Sequence, residues 1–86
     1  MRNIKRLSIP EIDLHGLRAH IGEARLADVM KTAIANGTPR VRVIHGYGQG
    51  VMKEIVEQWI TEHQNSVEDC EQEDGSMLIY LKTLRF

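Results

Sequence analysis

The sequence predicts a two-layer α/β fold with the order βαβαββ, in which two helices cover one face of a mixed four-stranded sheet. Strand-like and helix-like hydrophobic periodicities alternate along the chain, as expected for a parallel strand–helix–strand unit. The first two strands alternate apolar and polar residues, so only one face of the sheet is expected to be covered by helices. Asp74-Gly75 separates the last two strands and is typical of an antiparallel hairpin.

The first half of the chain contains an arm, a strand and a helix. Residues 1–7 are predicted to form an N-terminal arm, and residues 8–86 a single domain. A strand is expected from Ser8 to Leu14, with alternate side chains on opposite faces of the sheet. A helix is expected from about His20 to Asn36, because apolar residues recur there at helical spacing: Leu26, Val29, Met30 and Ala33. Asn36-Gly37 is a typical signal for its end.

The second half supplies the remaining four elements. The spacing predicts a strand over Arg40 to His45, a helix over Val51 to His63, and two strands over Val67 to Glu73 and Ser76 to Lys82. In the last strand, Leu78 and Tyr80 are expected to face away from the helices. That face is expected either to be covered by apolar residues of the two termini (Ile4, Leu7, Leu84 and Phe86) or to bind a protein partner.

Composition limits the cellular setting more than it limits the partner. The formal net charge is −1, but five acidic residues fall between Glu68 and Asp74, so the rest of the chain is net basic. A polyanionic partner is therefore compatible with the charge. The longest apolar run is too short for a membrane span, and Cys70 is the only cysteine, so we expect a cytoplasmic protein without an internal disulfide or a membrane partner.

Two polar motifs are expected to meet at one edge of the sheet. Asp13-Leu14-His15-Gly16 follows the first strand, and the loop from His45 to Gly50 follows the second. In open α/β sheets, ligands bind at the edge formed by the carboxyl ends of parallel strands. The three glycines of the loop (Gly46, Gly48 and Gly50) permit close approach of a ligand, and the helix start that follows favours an anion such as phosphate.

The side chains of these motifs suit acid–base chemistry, although structural roles are open as well. Histidines exchange protons near neutral pH, and Asp13 is able to fix the tautomer of a neighbouring imidazole. Alternatively, Asp13 forms an ion pair with Arg40 or Arg42, His15 caps a turn, and the glycine loop is only a tight connection. No cofactor is expected. A divalent metal held by Asp13, His15 and His45 is a weaker alternative, since the chain has no closely spaced ligand pair.

The two motifs resemble those of the small MutS-related (Smr) domain family. That family has a leucine-aspartate-leucine-histidine-glycine motif, matched here by residues 12–16 with Ile12 in the first position. It also has a later histidine-glycine-x-glycine-x-glycine motif, matched here by residues 45–50. The resemblance covers about residues 9–81. It implies a fold similar to the C-terminal domain of bacterial initiation factor three, nucleic-acid binding and, in many members, endonuclease activity on DNA or RNA.

By position, the resemblance implies that Asp13, His15 and His45 are catalytic. The expected nucleic-acid contacts combine the glycine loop with nearby cations: Gly46, Tyr47, Gly48, Gln49, Gly50, Arg40, Arg42 and Lys53. Many members have lysine where Tyr47 stands, and a tyrosine there is able to stack on a base. We therefore expect a nucleic-acid-binding domain with weak endonuclease activity. The alternative is a module that binds nucleic acid or the ribosome without cleaving.

Overall fold

The structure, a computed structural model, describes residues 9–48 and 50–83. Its elements are β1 (Glu11–Asp13), α1 (Ala19–Ala35), β2 (Arg40–Ile44), α2 (Val51–Glu62), β3 (Val67–Glu73) and β4 (Ser76–Leu81). The predicted fold class is confirmed, because the four strands form one mixed sheet with the order β1-β2-β4-β3. The predicted arm over residues 1–7 and the terminal residues Leu84 and Phe86 lie outside the described residues. No helix in the described part of the chain is long and apolar enough to cross a membrane.

The register of the sheet fixes which loops are neighbours. β1 runs parallel to β2, with Asp13 opposite Ile44, while β4 is antiparallel to both β2 and β3. Ile44 is also paired with Ser76, the first residue of β4. The carboxyl ends of β1 and β2 and the turn between β3 and β4 therefore lie at one edge of the sheet, which we call the site edge.

The predicted boundaries agree with the structure to within one residue, except in β1. Within the described residues β1 is shorter than the strand expected from Ser8 to Leu14, of which Ser8 itself lies outside those residues. Pro10 has no N–H to donate, and only its carbonyl pairs, accepting the Arg42 N–H at 2.8 Å. At the other end, the Leu14 N–H still donates to the Ile44 carbonyl at 2.8 Å. The edge strand thus keeps its hydrogen bonding where it approaches the site edge.

Both helices pack on the same face of the sheet, with which they share one core, and on each other. The core combines α1 and α2 with β1, β2 and β4, and its buried residues include Leu14, Leu26, Met30, Val41, Val43, Val56, Trp59, Met77 and Ile79. The predicted end of α1 is explained by its hydrogen bonds. Gly37 takes a φ of 71°, and the Gly37 and Thr38 N–H groups donate to the Ile34 and Ala33 carbonyls.

The face of the sheet opposite the helices is mostly polar and is held by an ion-pair network. Arg42 donates to Glu73 Oε1 at 2.8 Å and to Glu11 Oε2 at 3.2 Å, so one side chain links three strands. Leu78 is only 5% exposed, and Tyr80 is half-buried with its hydroxyl donating to Glu71. Leu78 thus offers almost no surface to a partner, and a protein partner at this face stays a prediction that depends on Tyr80.

Candidate functional site

The loops that follow β1 and β2 touch at the site edge. A Cβ built on Gly46 would stand 2.9 Å from the Cβ of His15, closer than real Cβ atoms approach each other. Gly46 also has a φ of 83°, which favours glycine. A side chain at position 46 would therefore be excluded twice, by its backbone conformation and by His15. The structure thus brings the two sequence motifs into direct contact.

The two loops and the start of α2 enclose a cleft of about 220 Å³, which we call the site cleft. Its wall combines both motif histidines, the glycines of the loop and the first turn of α2: His15, Gly16, Leu17, His45, Gly46, Tyr47, Gly48, Gly50, Val51, Met52 and Lys53. Gln49, which was predicted to contact nucleic acid, lies outside the described residues. The cleft opens at the protein surface.

Asp13 and His15 form a hydrogen-bonded pair at the site edge. His15 Nδ1 donates to Asp13 Oδ1 at 2.6 Å, and the His15 backbone N–H donates to the same oxygen at 3.1 Å. These two bonds hold the pKa of the Asp13 carboxyl below its ordinary value. Both side chains are more than half exposed. The local fold favours the pair, since Leu14 between them is fully buried and turns its two neighbours outward.

His45 lines the same cleft but is only 7% exposed. Its Nδ1 donates to the Gly46 carbonyl at 2.9 Å, and its Nε2 accepts from the Gln72 side-chain amide at 3.3 Å. Its backbone N–H donates to the Gly75 carbonyl at 3.0 Å. The two motif histidines therefore differ: His15 is exposed and bound to a carboxylate, while His45 is buried and bonded through both ring nitrogens.

The turn between β3 and β4 forms a further wall of the site. The Gly75 carbonyl accepts the N–H groups of both His45 and Gly46. The Tyr47 ring lies over Gly75, where an added Cβ would stand 3.0 Å from Tyr47 Cζ, yet the residue is 76% exposed. The negative charge of Asp74, then partial burial, and then a hydrogen bond to Asp74 raise the pKa of the Tyr47 hydroxyl. One face of this ring is therefore supported, and much of the side chain is open to solvent.

The cations predicted to bind nucleic acid are only partly brought together. Lys53 is half-buried in the wall of the cleft. Arg40 begins β2 at the opposite edge of the sheet, roughly 16 Å along the strand from His45 at about 3.3 Å per residue. Arg42 is engaged by Glu11 and Glu73 on the polar face. Arg42 therefore does not form the alternative ion pair with Asp13. Glu11, and not Asp13, lies opposite Arg42 in the register.

The start of α2 points into the cleft without a side-chain cap. Gly50 occupies the N-cap position with a φ of 89°. Because glycine has no side chain, the N–H groups of the first turn receive no side-chain cap. A helix start favours an anion through its N–H groups and its dipole. Within residues 9–48 and 50–83, no three His, Cys, Asp or Glu side chains come together in a group that could hold a metal ion.

Sequence reasoning missed the contribution of the last hairpin to the site. Gln72 bonds to His45, and Gly75 bonds to the backbone of the loop. Asp74-Gly75 gave a signal for a turn, but nothing in that signal indicated which loop the turn would contact. The antiparallel register of β2 with β4 determines it, by placing Ser76 opposite Ile44.

The chain is similar to segments of two longer proteins and to one solved domain. Endonuclease MutS2 of Geobacillus thermodenitrificans is 37% identical over 54 residues, which are 63% of this chain and 7% of that protein. Ribosome rescue factor SmrB of Shewanella sp. (strain W3-18-1) is 33% identical over 52 residues, which are 60% of this chain and 30% of that protein. The crystal structure of the Smr domain of Thermus thermophilus MutS2 has a TM-score of 0.77 and 21% identity, with 86% of this chain and 99% of that chain covered.

These comparisons agree with the architecture and with the two motifs. The solved Smr domain has the same fold over nearly its whole length. The chain spans less than a third of either longer relative, so the likeness is to a domain of those proteins. The sequence model of the Smr domain family matches residues 12–82. This range includes both motifs and every element except the first residue of β1. The chain therefore belongs to the Smr domain family.

Proposed function

We propose that this domain binds a nucleic-acid strand at the site cleft and slowly cleaves its phosphodiester backbone, with Asp13 and His15 as the acid–base pair. The observation that carries this proposal is the 2.6 Å hydrogen bond from His15 Nδ1 to Asp13 Oδ1. It leaves His15 Nε2 without a protein partner in the described part of the chain, at the wall of a cleft that ends on a helix start.

In the cleavage step, His15 Nε2 takes the proton of an attacking hydroxyl, which belongs to water or to a ribose 2′-OH. The attacking oxygen bonds to phosphorus, and the bond from phosphorus to the leaving oxygen breaks. The leaving oxygen takes up a proton, which the His15 imidazolium gives back. The Asp13 carboxylate orients the ring and stabilises its charged form, as carboxylates do beside catalytic histidines.

Binding would rest on the loop, the helix start and two side chains. Gly46, Gly48 and Gly50 allow a phosphate to approach the backbone, and the first turn of α2 favours its negative charge. Lys53 adds one positive charge to the wall of the cleft. Tyr47 offers its exposed ring to an unpaired base. Arg40 and Arg42 lie too far away or are already paired, so we assign them no role at the cleft.

The relatives support this class of function in general terms. One similar protein is named an endonuclease and another a ribosome rescue factor, and both names point to nucleic acid or to a nucleic-acid assembly. A cytoplasmic setting, expected from the single cysteine, is consistent with either activity.

The proposal is tested by measuring binding and cleavage on the same labelled substrates: single-stranded, duplex and branched forms of DNA and RNA, with and without a chelator. The parent is compared with His15→Ala and Asp13→Asn. His20→Ala is the matched control, because His20 is an exposed histidine of α1 that does not line the cleft. We expect His15→Ala to lose cleavage by roughly 10²–10⁴-fold while keeping most of its affinity, since phosphate contacts dominate binding.

Three results would overturn part or all of the proposal. Cleavage that survives both site substitutions would place the active site elsewhere. Tight binding without cleavage of any substrate would support the binding module instead. Absence of both binding and cleavage would refute the nucleic-acid function of this cleft. Loss of cleavage in chelator would assign a divalent metal to the reaction, and cleavage of RNA but not of its 2′-deoxy analogue would identify the ribose hydroxyl as the nucleophile.

A further inference from the structure

Both ring nitrogens of His45 form hydrogen bonds in which the donor and acceptor roles can be assigned. Nδ1 lies 2.9 Å from the Gly46 carbonyl oxygen, which is able only to accept a hydrogen bond. Nδ1 must therefore carry a hydrogen. Nε2 lies 3.3 Å from the side-chain nitrogen of Gln72.

The orientation of the Gln72 amide is fixed independently of His45. Gln72 Nε2 also lies 2.6 Å from the Glu73 carbonyl oxygen, and only the NH₂ end of an amide is able to donate to that oxygen. The second hydrogen of the same NH₂ group is then available for His45, whose Nε2 accepts it. The bonding pattern of the ring is that of a neutral imidazole with its hydrogen on Nδ1.

This arrangement leaves His45 poorly placed for proton transfer to a substrate. Its one lone pair is directed to Gln72, and its one N–H is directed to the loop backbone. Only 7% of the residue is exposed, whereas 66% of the His15 side chain is. His45 instead links three parts of the site: the carbonyl of Gly46, the side chain of Gln72 and, through its backbone, the Gly75 carbonyl.

We propose that Gln72 is a positioning residue that locks the His45 ring in its Nδ1–H tautomer, and that His45 shapes the glycine loop while His15 alone exchanges protons with the substrate. This inference rests on the proposed cleavage function for the role of His15. The lock between Gln72, His45 and the loop is a property of the protein without substrate. It differs from the expectation drawn from sequence, in which His45 was catalytic.

The first experiment reads the tautomer directly, by long-range ¹H–¹⁵N correlation spectra of the full chain. We expect the hydrogen of His45 on Nδ1 in the parent and a mixture of tautomers in Gln72→Ala. In Gln72→Glu, a carboxylate acceptor replaces the donor, so Nε2 should carry a hydrogen as well, while Nδ1 keeps its hydrogen on the Gly46 carbonyl. Gln64→Ala is the matched control, because Gln64 is exposed and lies in the turn after α2. A hydrogen on Nε2 in the parent, or a spectrum that Gln72→Ala leaves unchanged, would overturn the proposal.

The second experiment compares two substitutions that leave no titratable ring. In His45→Asn, the new amide nitrogen takes roughly the place of Nδ1 and is able to donate to the Gly46 carbonyl. We expect this variant to keep cleavage within about tenfold of the parent, whereas His15→Asn should lose roughly 10²–10⁴-fold. His45→Ala should shift the amide resonances of Gly46 and Gly48, and His45→Asn should largely restore them.

The outcomes separate this inference from the proposed function. Equal loss of cleavage in His45→Asn and His15→Asn would refute the positioning role of His45. If the parent cleaves no substrate, the proposed function fails, but the tautomer spectra and the loop resonances still decide whether Gln72 and His45 hold the loop.

Discussion

Gly22 lies against the end of the Met52 side chain, so closely that a Cβ built on Gly22 would stand 2.5 Å from both Met52 Sδ and Met52 Cε. Gly22 is in the first part of α1, and Met52 is in the first turn of α2. Met52 is 8% exposed and also lines the site cleft. The absence of a side chain at Gly22 therefore lets the starts of both helices approach each other beside the cleft.

Gly22→Ala is expected to lower the free energy of unfolding by about 1 kcal/mol. Alanine gains roughly 0.5–1 kcal/mol over glycine in a helix, but overpacking a tight contact typically costs about 1–3 kcal/mol. The clashing atoms are the flexible end of Met52, but this residue is only 8% exposed and has to give up buried contacts to move, so the second effect should prevail. For a domain of this size, the loss corresponds to a Tm lower by roughly 4–8 °C, measured by thermal unfolding.

The sign of this effect should reverse when Met52 is truncated. In a Met52→Ala background the clashing atoms are gone, so Gly22→Ala should raise the free energy of unfolding relative to Met52→Ala alone. A stabilising effect of Gly22→Ala in the parent would show that Met52 moves aside freely and that this contact does not set the distance between the helices.

Gly48→Val is expected to weaken nucleic-acid binding while leaving the fold intact. A Cβ built on Gly48 meets no heavy atom within 4 Å, and its backbone is outside the positive-φ region, so a side chain is accommodated. The added side chain would occupy space in the cleft where a phosphate is proposed to approach the loop. Affinity by fluorescence anisotropy and Tm measured on the same preparation test this expectation. An unchanged affinity with an unchanged Tm would reduce the loop to a simple connection.

Tyr47→Ala is expected to reduce affinity for single strands more than affinity for duplexes. Stacking of one base on an aromatic ring is worth roughly 1–3 kcal/mol, which corresponds to about 5–150-fold in affinity. Tyr47 is 76% exposed as a residue, and one side of its ring contacts Gly75. Tyr47→Phe is the control, because it keeps the ring and removes the hydroxyl beside Asp74. Equal losses on single strands and duplexes would argue against stacking.

The Arg42–Glu73 ion pair is expected to make stability depend on pH in acid. The Arg42 guanidinium, followed by the Ser76 hydroxyl, holds the pKa of the Glu73 carboxyl below its ordinary value of 4.5. A carboxyl whose pKa is lowered by folding contributes stability that is complete above its unfolded pKa and is lost as the pH falls through its folded pKa. The stability difference between the parent and Glu73→Gln should therefore be constant near pH 7 and shrink below about pH 4.5.

Urea unfolding at a series of pH values measures this difference. Glu57→Gln is the matched control, since Glu57 is an exposed residue of α2 and carries the same charge. A difference for Glu73→Gln that persists undiminished at low pH would mean that packing, and not the ion pair, causes the effect.

Local chemistry explains why much of the fold could be predicted from the sequence. α1 ends at Asn36 and Gly37, whose N–H groups donate to carbonyls of the last helical turn, no more than four residues earlier in the chain. The meeting of the two motifs follows from the parallel pairing of β1 and β2, which a strand–helix–strand unit requires. Neither inference needs knowledge of a distant contact.

The parts that could not be predicted depend on register between distant strands. Arg42 was expected near the ligand, but its partner Glu73 lies across β4, and only the pairing of β2, β4 and β3 brings them together. The contact between Gln72 and His45 has the same origin. Shifting one strand by a single residue would exchange its faces, so such partners are determined by the complete sheet and not by any motif.

The Gly75 carbonyl, which accepts from His45 and Gly46, makes the order of folding matter for the site. Both motifs are synthesised well before the hairpin that supplies this carbonyl, so a nascent chain that ends ahead of Gly75 has the motif residues without the finished cleft. In the folded protein, the His45 and Gly46 amides become free to exchange with solvent whenever the hairpin detaches, even if β1 and β2 stay paired. Hydrogen exchange at these two amides therefore reports loss of the Gly75 contact, and because β4 also supplies the buried Met77 and Ile79, detachment of the whole hairpin would cost the cleft and the core together.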